Sequence, residues 1–251
     1  MQRQGYSPNA SRLLELTDQR NWSDVIEAIF RYYTDASDPE IIWGDKSPKH
    51  LFQMELLRRH FPTSKFVHIF RDPRDRALSA RRAWKANLLI ASHQWLKGMQ
   101  HAARFQESED NCYHAVRYES LVTDTEGTMQ KICQFIEVTY STDMLTLNAP
   151  IENRGDMSNP TRISSAVYAG NIGNFREHMT YRQLQRIEEI VFPIAMKLGY
   201  VRETKESPHR PLQIAERIFW TLPHYWGGME RFVQRWGIFD GFMQAWARYR
   251  Q

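Results

Sequence analysis

Residues 43–79, WGDKSPKHLFQMELLRRHFPTSKFVHIFRDPRDRALS, decide how the rest of the chain is read. They divide into a short lead-in, a helix, a strand and a second helix. The strand is expected over Lys65–Arg71. Phe66, Val67, Ile69 and Phe70 make the short apolar run that a parallel sheet buries on both faces. Asp72 is a good N-cap, Pro73 suits the first helical position, and Asp75 follows three residues after the cap. Ser79 lies seven residues after Asp72 and four after Asp75, which puts all three on one helical stripe. Arg71 at the carboxyl end of a strand and Ser79 two turns into the next helix are therefore expected to converge on one small anion. Ligands of open α/β sheets bind at that edge.

Upstream, Ile41–Trp43 reads as a short strand delivering Gly44, Asp45 and Lys46 to its end. Ser47 then caps, and Pro48 starts, a helix through Phe61. RDPRDRALS after an apolar strand, with GDKSPKHL some twenty-five residues earlier, resembles the sulfotransferases that use 3′-phosphoadenosine 5′-phosphosulfate (PAPS). The similarity is greatest to the bacterial and tyrosylprotein-type branch. It implies an α/β, P-loop-NTPase-like fold with a central parallel sheet, and a reaction moving a sulfuryl group from PAPS to a hydroxyl or amine. It implies that Arg71 and Ser79 hold the 3′-phosphate, with Arg82 as a substitute for a second arginine whose usual position is Ala83.

The same resemblance gives Lys46 the catalytic cation. Charge builds on the oxygens around sulfur as the bond to the leaving phosphate stretches, and a fixed cation stabilises it selectively. A lysine near a helix start is otherwise poorly placed, because the helix dipole opposes it. Asp45 is read either as a base or as the group that orients Lys46, and His50 as a solvated or core histidine. VRYESL at 116–121 matches another recurring piece of the family, in which the tyrosine, here Tyr118, lies near the nucleotide. RISS at 162–165 and Gly173 match a late loop over the donor, so Arg162, Ser165 and Gly173 are expected at the nucleotide and Ser164 beside the transferring group. Asn174 and Phe175 replace the usual basic residue and tryptophan. No metal is needed, since fixed cations do that work.

Composition sets wider bounds. A chain of 251 residues with 42% hydrophobic content supports a sizeable core. Thirty-three Lys and Arg against 29 Asp and Glu give a net charge of +4. No dense basic block argues for nucleic acid. Cys112 and Cys133, without a CxxC pair, are expected as buried thiols of a reducing compartment, and the absence of an apolar leader or span leads to a cytoplasmic assignment. Further helices are expected over 11–19, 23–34, 91–108, 125–138 and 180–198, the last stopped by Gly199, and a third strand over Cys112–Arg117. The polar stretch from Pro150 to His178 reads as loop.

The resemblance covers roughly residues 20–200. No glycine-rich phosphate loop for the 5′-phosphosulfate is found in the chain. The first strand and that loop are expected to be missing, through a shortened start, through loss in a remnant, or because a partner chain completes the site. Weak nucleotide binding and little transfer by this chain alone are expected in consequence. Two segments are expected, 1–204 as the incomplete sulfotransferase-like domain and 205–251 as an aromatic helical extension. The extension holds Trp220, Trp226, Trp236 and Trp246, and Phe232, Trp236, Phe239, Met243 and Trp246 recur at helical spacing. Packing on the domain or on a second copy of the chain is the preferred reading for it, and contact with a membrane surface the other. The acceptor, whether peptide, carbohydrate, lipid or small alcohol, is not named by the sequence. A non-catalytic partner-binding module is the rival function. A nucleoside-phosphate kinase is disfavoured for want of a lysine-bearing loop and magnesium ligands.

Overall fold

The computed structural model describes residues 17, 21–34, 42–146 and 170–205. In chain order these form helix α1 (Trp22–Thr34), α2 (Met54–His60), strand β1 (Phe66–Phe70), α3 (Pro73–Trp84) and α4 (Leu88–Ser108). Strand β2 (Tyr113–Arg117), α5 (Tyr118–Thr123), α6 (Thr125–Ile136), the single turn α7 (Phe175–His178) and α8 (Tyr181–Ala195) follow. β1 and β2 pair as a small parallel sheet. Parallel neighbours need a crossover of a dozen or more residues, and α3 and α4 supply it. The α/β class expected from the sequence is the class observed.

Two compact units divide the chain, residues 1–66 with 101–114 and residues 67–100 with 115–251. Each has its own apolar core. In the first, Met54, Ala102, Phe105, Cys112 and Tyr113 are buried together. Phe105 meets Phe66 edge-on at 5.2 Å and Tyr113 at 6.1 Å between ring centroids. In the second, α3, α4 and α8 bury Ala77, Trp95, Met99, Ile187, Val191 and Phe192, among others.

The local signals explain the helices of this second core. Asp72 caps α3 by accepting from the Arg74 N–H, and Pro73 occupies the first turn. Thr180 and Gln183 form a reciprocal capping box on α8. The chain leaves α8 through a 3-10 turn, Met196–Leu198, and Gly199 with φ +80°. The Tyr200 N–H reaches Ala195 O at 3.1 Å and the Gly199 N–H reaches Met196 O at 3.0 Å. That is the Schellman pairing, and the positive φ is why glycine stands there.

Three expectations need correction. Residues 42–47 are irregular, not a strand. Trp43 instead stacks on Phe30 at 4.4 Å and meets Phe61 edge-on at 5.5 Å, and no described strand pairs with its backbone. The helix expected over 48–61 is broken into a 3-10 turn, His50–Phe52, and α2. There the Ser47 hydroxyl accepts from the Lys49 N–H at 3.3 Å, and Gln53 leaves helical space at φ −131°; such side-chain bonds compete with helix propagation. β1 is not buried on both faces. Phe66, His68 and Phe70 are half-buried while Val67 and Ile69 are exposed, the alternation of a strand covered on one side. Cys112 precedes β2 in a 3-10 turn, and both cysteines are free and buried. Residues 11–16 and 18–19 of the first expected helix, the loop over 150–169 and nearly all of 205–251 lie outside the described residues.

Candidate functional site

The site is built outward from Arg71, the residue that follows β1. Its backbone is fixed from α4, where the buried Trp95 indole N–H donates to Arg71 O at 3.0 Å. Its guanidinium lies over the Tyr118 ring, 4.7 Å from the centroid, a cation–π contact that the end of β2 makes available. Nη2 donates to the Asn171 carbonyl and lies 3.8 Å from Asp75 Oδ2. Among the described residues, Nε is buried with no hydrogen-bond partner. A buried N–H left unmet costs about 1–3 kcal/mol, so this nitrogen is an unfilled donor at a strand's carboxyl edge.

The acidic residues of RDPRD have separate work. Asp72 pairs with Arg74 through two bonds, Oδ1 to Nε at 3.0 Å and Oδ2 to Nη2 at 2.7 Å. Arg74 Nη1 reaches Glu188 Oε1 of α8 at 2.7 Å and the Val201 carbonyl at 3.0 Å, and its plane covers the Phe175 ring at 4.0 Å. Glu188 is completely buried and also accepts from the Glu203 and Thr204 N–H groups and the Thr204 hydroxyl. Burial works against the charge on Arg74, but Asp72 and Glu188 outweigh it and hold the guanidinium above its ordinary pKa. Arg74 therefore ties α3 to α8 and is committed to structure.

Asp75, 1% exposed, accepts from the Gly173 N–H at 2.6 Å and the Phe175 N–H at 2.9 Å. Burial pushes its carboxyl pKa up, against the lowering effect of those donors and of Arg71. Gly173 has φ +76°, a left-handed turn that glycine allows, and it brings the end of the late polar stretch against Arg71. Glu119 closes the other side. It accepts from the Asp72 N–H at 2.9 Å, from Arg117 Nε at 3.3 Å and from the Tyr200 hydroxyl at 3.0 Å. Burial first, and then Glu119, raise the Tyr200 pKa well above the ordinary phenol value.

Arg71, Tyr118 and Gly173 are thus gathered at one corner. Ser79 and Arg82 are exposed on α3. Asp45 and Lys46 are exposed in the first unit, with Asp45 Oδ2 at 3.2 Å from His50 Nε2. Arg162, Ser164 and Ser165 lie outside the described residues. The sequence reading did not count Asp75, Asn171 or Glu119 as site residues. For Asp75 a signal existed, since an acid four residues after Arg71 is at ion-pair spacing. Nothing local marked Asn171, which is 100 residues from its partner.

The family model described as "Sulfotransferase family" matches residues 6–142. No curated protein matches the chain. Among solved structures, the sulfotransferase domain from the curacin biosynthetic pathway is 17% identical with a TM-score of 0.54, covering 71% of this chain and 69% of that one. The sulfotransferase domain of the Synechococcus PCC 7002 olefin synthase is 18% identical with a TM-score of 0.56, covering 76% of this chain and 74% of that one. At such identity these two speak for the fold.

Proposed function

Since the chain belongs to the sulfotransferase family, we propose that it takes its sulfuryl group from PAPS and passes it to a hydroxyl or amine acceptor. The observation that carries this reading is the buried, unmatched Nε of Arg71 at the carboxyl edge of β1. A phosphate oxygen supplies the acceptor that nitrogen lacks, and a charge-assisted bond of this kind is among the stronger ones. Tyr118 offers a flat apolar face beside it. Ser79, exposed two turns into α3, adds a hydroxyl donor by the same family pattern.

The donor supplies an activated sulfur whose bond to the bridging oxygen of the 5′-phosphate breaks as the acceptor atom bonds to it, leaving 3′,5′-adenosine bisphosphate and the acceptor's proton. Lys46 serves as the fixed cation for the charge that develops, Asp45 orients it or takes the proton, and Ser164 donates to the transferring group. Arg162, Ser165 and Gly173 complete the nucleotide's surroundings. These roles rest on motif spacing. Incubation with sulfur-35-labelled PAPS and pooled peptide, sugar, lipid and alcohol acceptors tests the reading. A low level of label, in keeping with the missing phosphate loop, is expected on one class and is lost in Lys46→Ala. Bound nucleotide with no transfer to any class would overturn it.

A further inference from the structure

We propose that Asp75 is a positioning residue of the nucleotide site, a clasp that holds Arg71 with its Nε toward the 3′-phosphate. The inference rests on the reading of Arg71 given above and adds to it a residue, a contact set and a specificity.

Both Asp75 oxygens are engaged in the described structure. One oxygen takes the Phe175 N–H and the other the Gly173 N–H, at 2.9 and 2.6 Å. These bonds fix the turn that contains Asn171, whose carbonyl receives Arg71 Nη2. The same Oδ2 that binds Gly173 stands 3.8 Å from that Nη2. Arg71 is therefore held twice from one side, by a carbonyl that Asp75 places and by the Asp75 charge itself. Its third constraint is the Tyr118 face. A guanidinium so held has lost its rotamer freedom before ligand arrives, and a preorganised donor loses less entropy on binding. Among the described residues, Nε is the buried nitrogen of this guanidinium without a hydrogen-bond partner.

Asp75→Asn keeps the shape but sets an NH2 group against a backbone N–H and removes the charge near Arg71. The test is calorimetric titration of wild type and Asp75→Asn with 3′,5′-adenosine bisphosphate and with 5′-AMP, which lacks the 3′-phosphate. The variant is expected to bind the bisphosphate about tenfold more weakly, the scale of one charge-assisted bond, and to bind 5′-AMP as wild type does. Equal losses for both nucleotides would mean a general structural role and would overturn the proposal, as would no loss for either. Failure of wild type to bind the bisphosphate would remove the nucleotide reading itself, and the proposal with it. Hydrogen exchange on the wild-type chain covers the case in which the variant does not fold. Saturating bisphosphate is expected to slow exchange at the Gly173 and Phe175 amides and to leave α6 unchanged. Unaltered exchange at those two amides would also overturn it.

Discussion

Arg71 and Arg74 stand in one short motif and are predicted to differ in how much stability their loss costs. Arg74 is 3% exposed and faces Asp72 and Glu188, both at 2.7 Å. Arg74→Met keeps the stem over Phe175 but leaves two buried carboxylates without their shared cation. Breaking a buried pair from one side costs about 3–5 kcal/mol. Glu188 retains two backbone donors and the Thr204 hydroxyl, which places the expected loss near the lower end, about 3 kcal/mol. With a urea m-value of about 2 kcal/mol/M the midpoint falls by about 1.5 M. Arg71→Ala removes a partly exposed side chain with one backbone acceptor, a 3.8 Å contact to Asp75 and the Tyr118 face, and the expected loss is smaller, about 1 kcal/mol. The double variant Arg74→Met/Glu188→Gln tests the pairing. It is expected to be more stable than the sum of the single changes by about 1 kcal/mol, because it no longer leaves on α8 a buried carboxylate whose remaining cation, Arg202, is 3.8 Å away. An Arg74→Met loss below about 1 kcal/mol, or strict additivity in the double variant, would refute the assignment of Arg74 to structure.

Burial of His68 in β1 lowers its pKa from 6.5 to about 4. The unfolded chain then binds the extra proton first, so stability is fully present above pH 6.5 and is lost as pH falls toward about 4. The full loss is about 3 kcal/mol; urea midpoints of wild type and His68→Gln across that window check it, the variant showing the flatter acid limb. Lys46→Ala is expected to leave stability within about 0.5 kcal/mol, as for an exposed side chain. It is expected to lower the rate of transfer by about 100-fold or more, as for loss of one group that stabilises developing charge; steady-state rates and thermal unfolding of the same preparation separate the two effects.

What the sequence revealed was local. Asp72, Pro73, Thr180 and Gly199 each act on backbone groups within a few residues, so helix ends could be read from composition alone. The position of Arg71 at a strand's end beside a helix's start was legible because the two elements follow each other in the chain. Arg74 and Asp75 were not legible in the same way. The partners that give them their roles, Glu188 and Gly173, lie 114 and 98 residues later, and no local spacing encodes which α8 carboxylate turns inward. The strand expected at Ile41–Trp43 failed for the converse reason. β-propensity marks a segment that fits a half-buried sheet, but Trp43 has a better apolar contact in Phe30 and Phe61. In β1 the apolar run was correct and its environment was not, since Val67 and Ile69 face outward and periodicity does not count the layers around a sheet.

The proposed function depends first on Arg71 closing on the 3′-phosphate of an adenosine nucleotide. Calorimetric titration of this chain with 3′,5′-adenosine bisphosphate, beside Arg71→Ala, tests it most directly. Saturable binding is expected, weakening at least about tenfold in the variant, as for loss of a hydrogen bond to a charged group. Binding of equal strength in both proteins, or none to the wild-type chain, would contradict it.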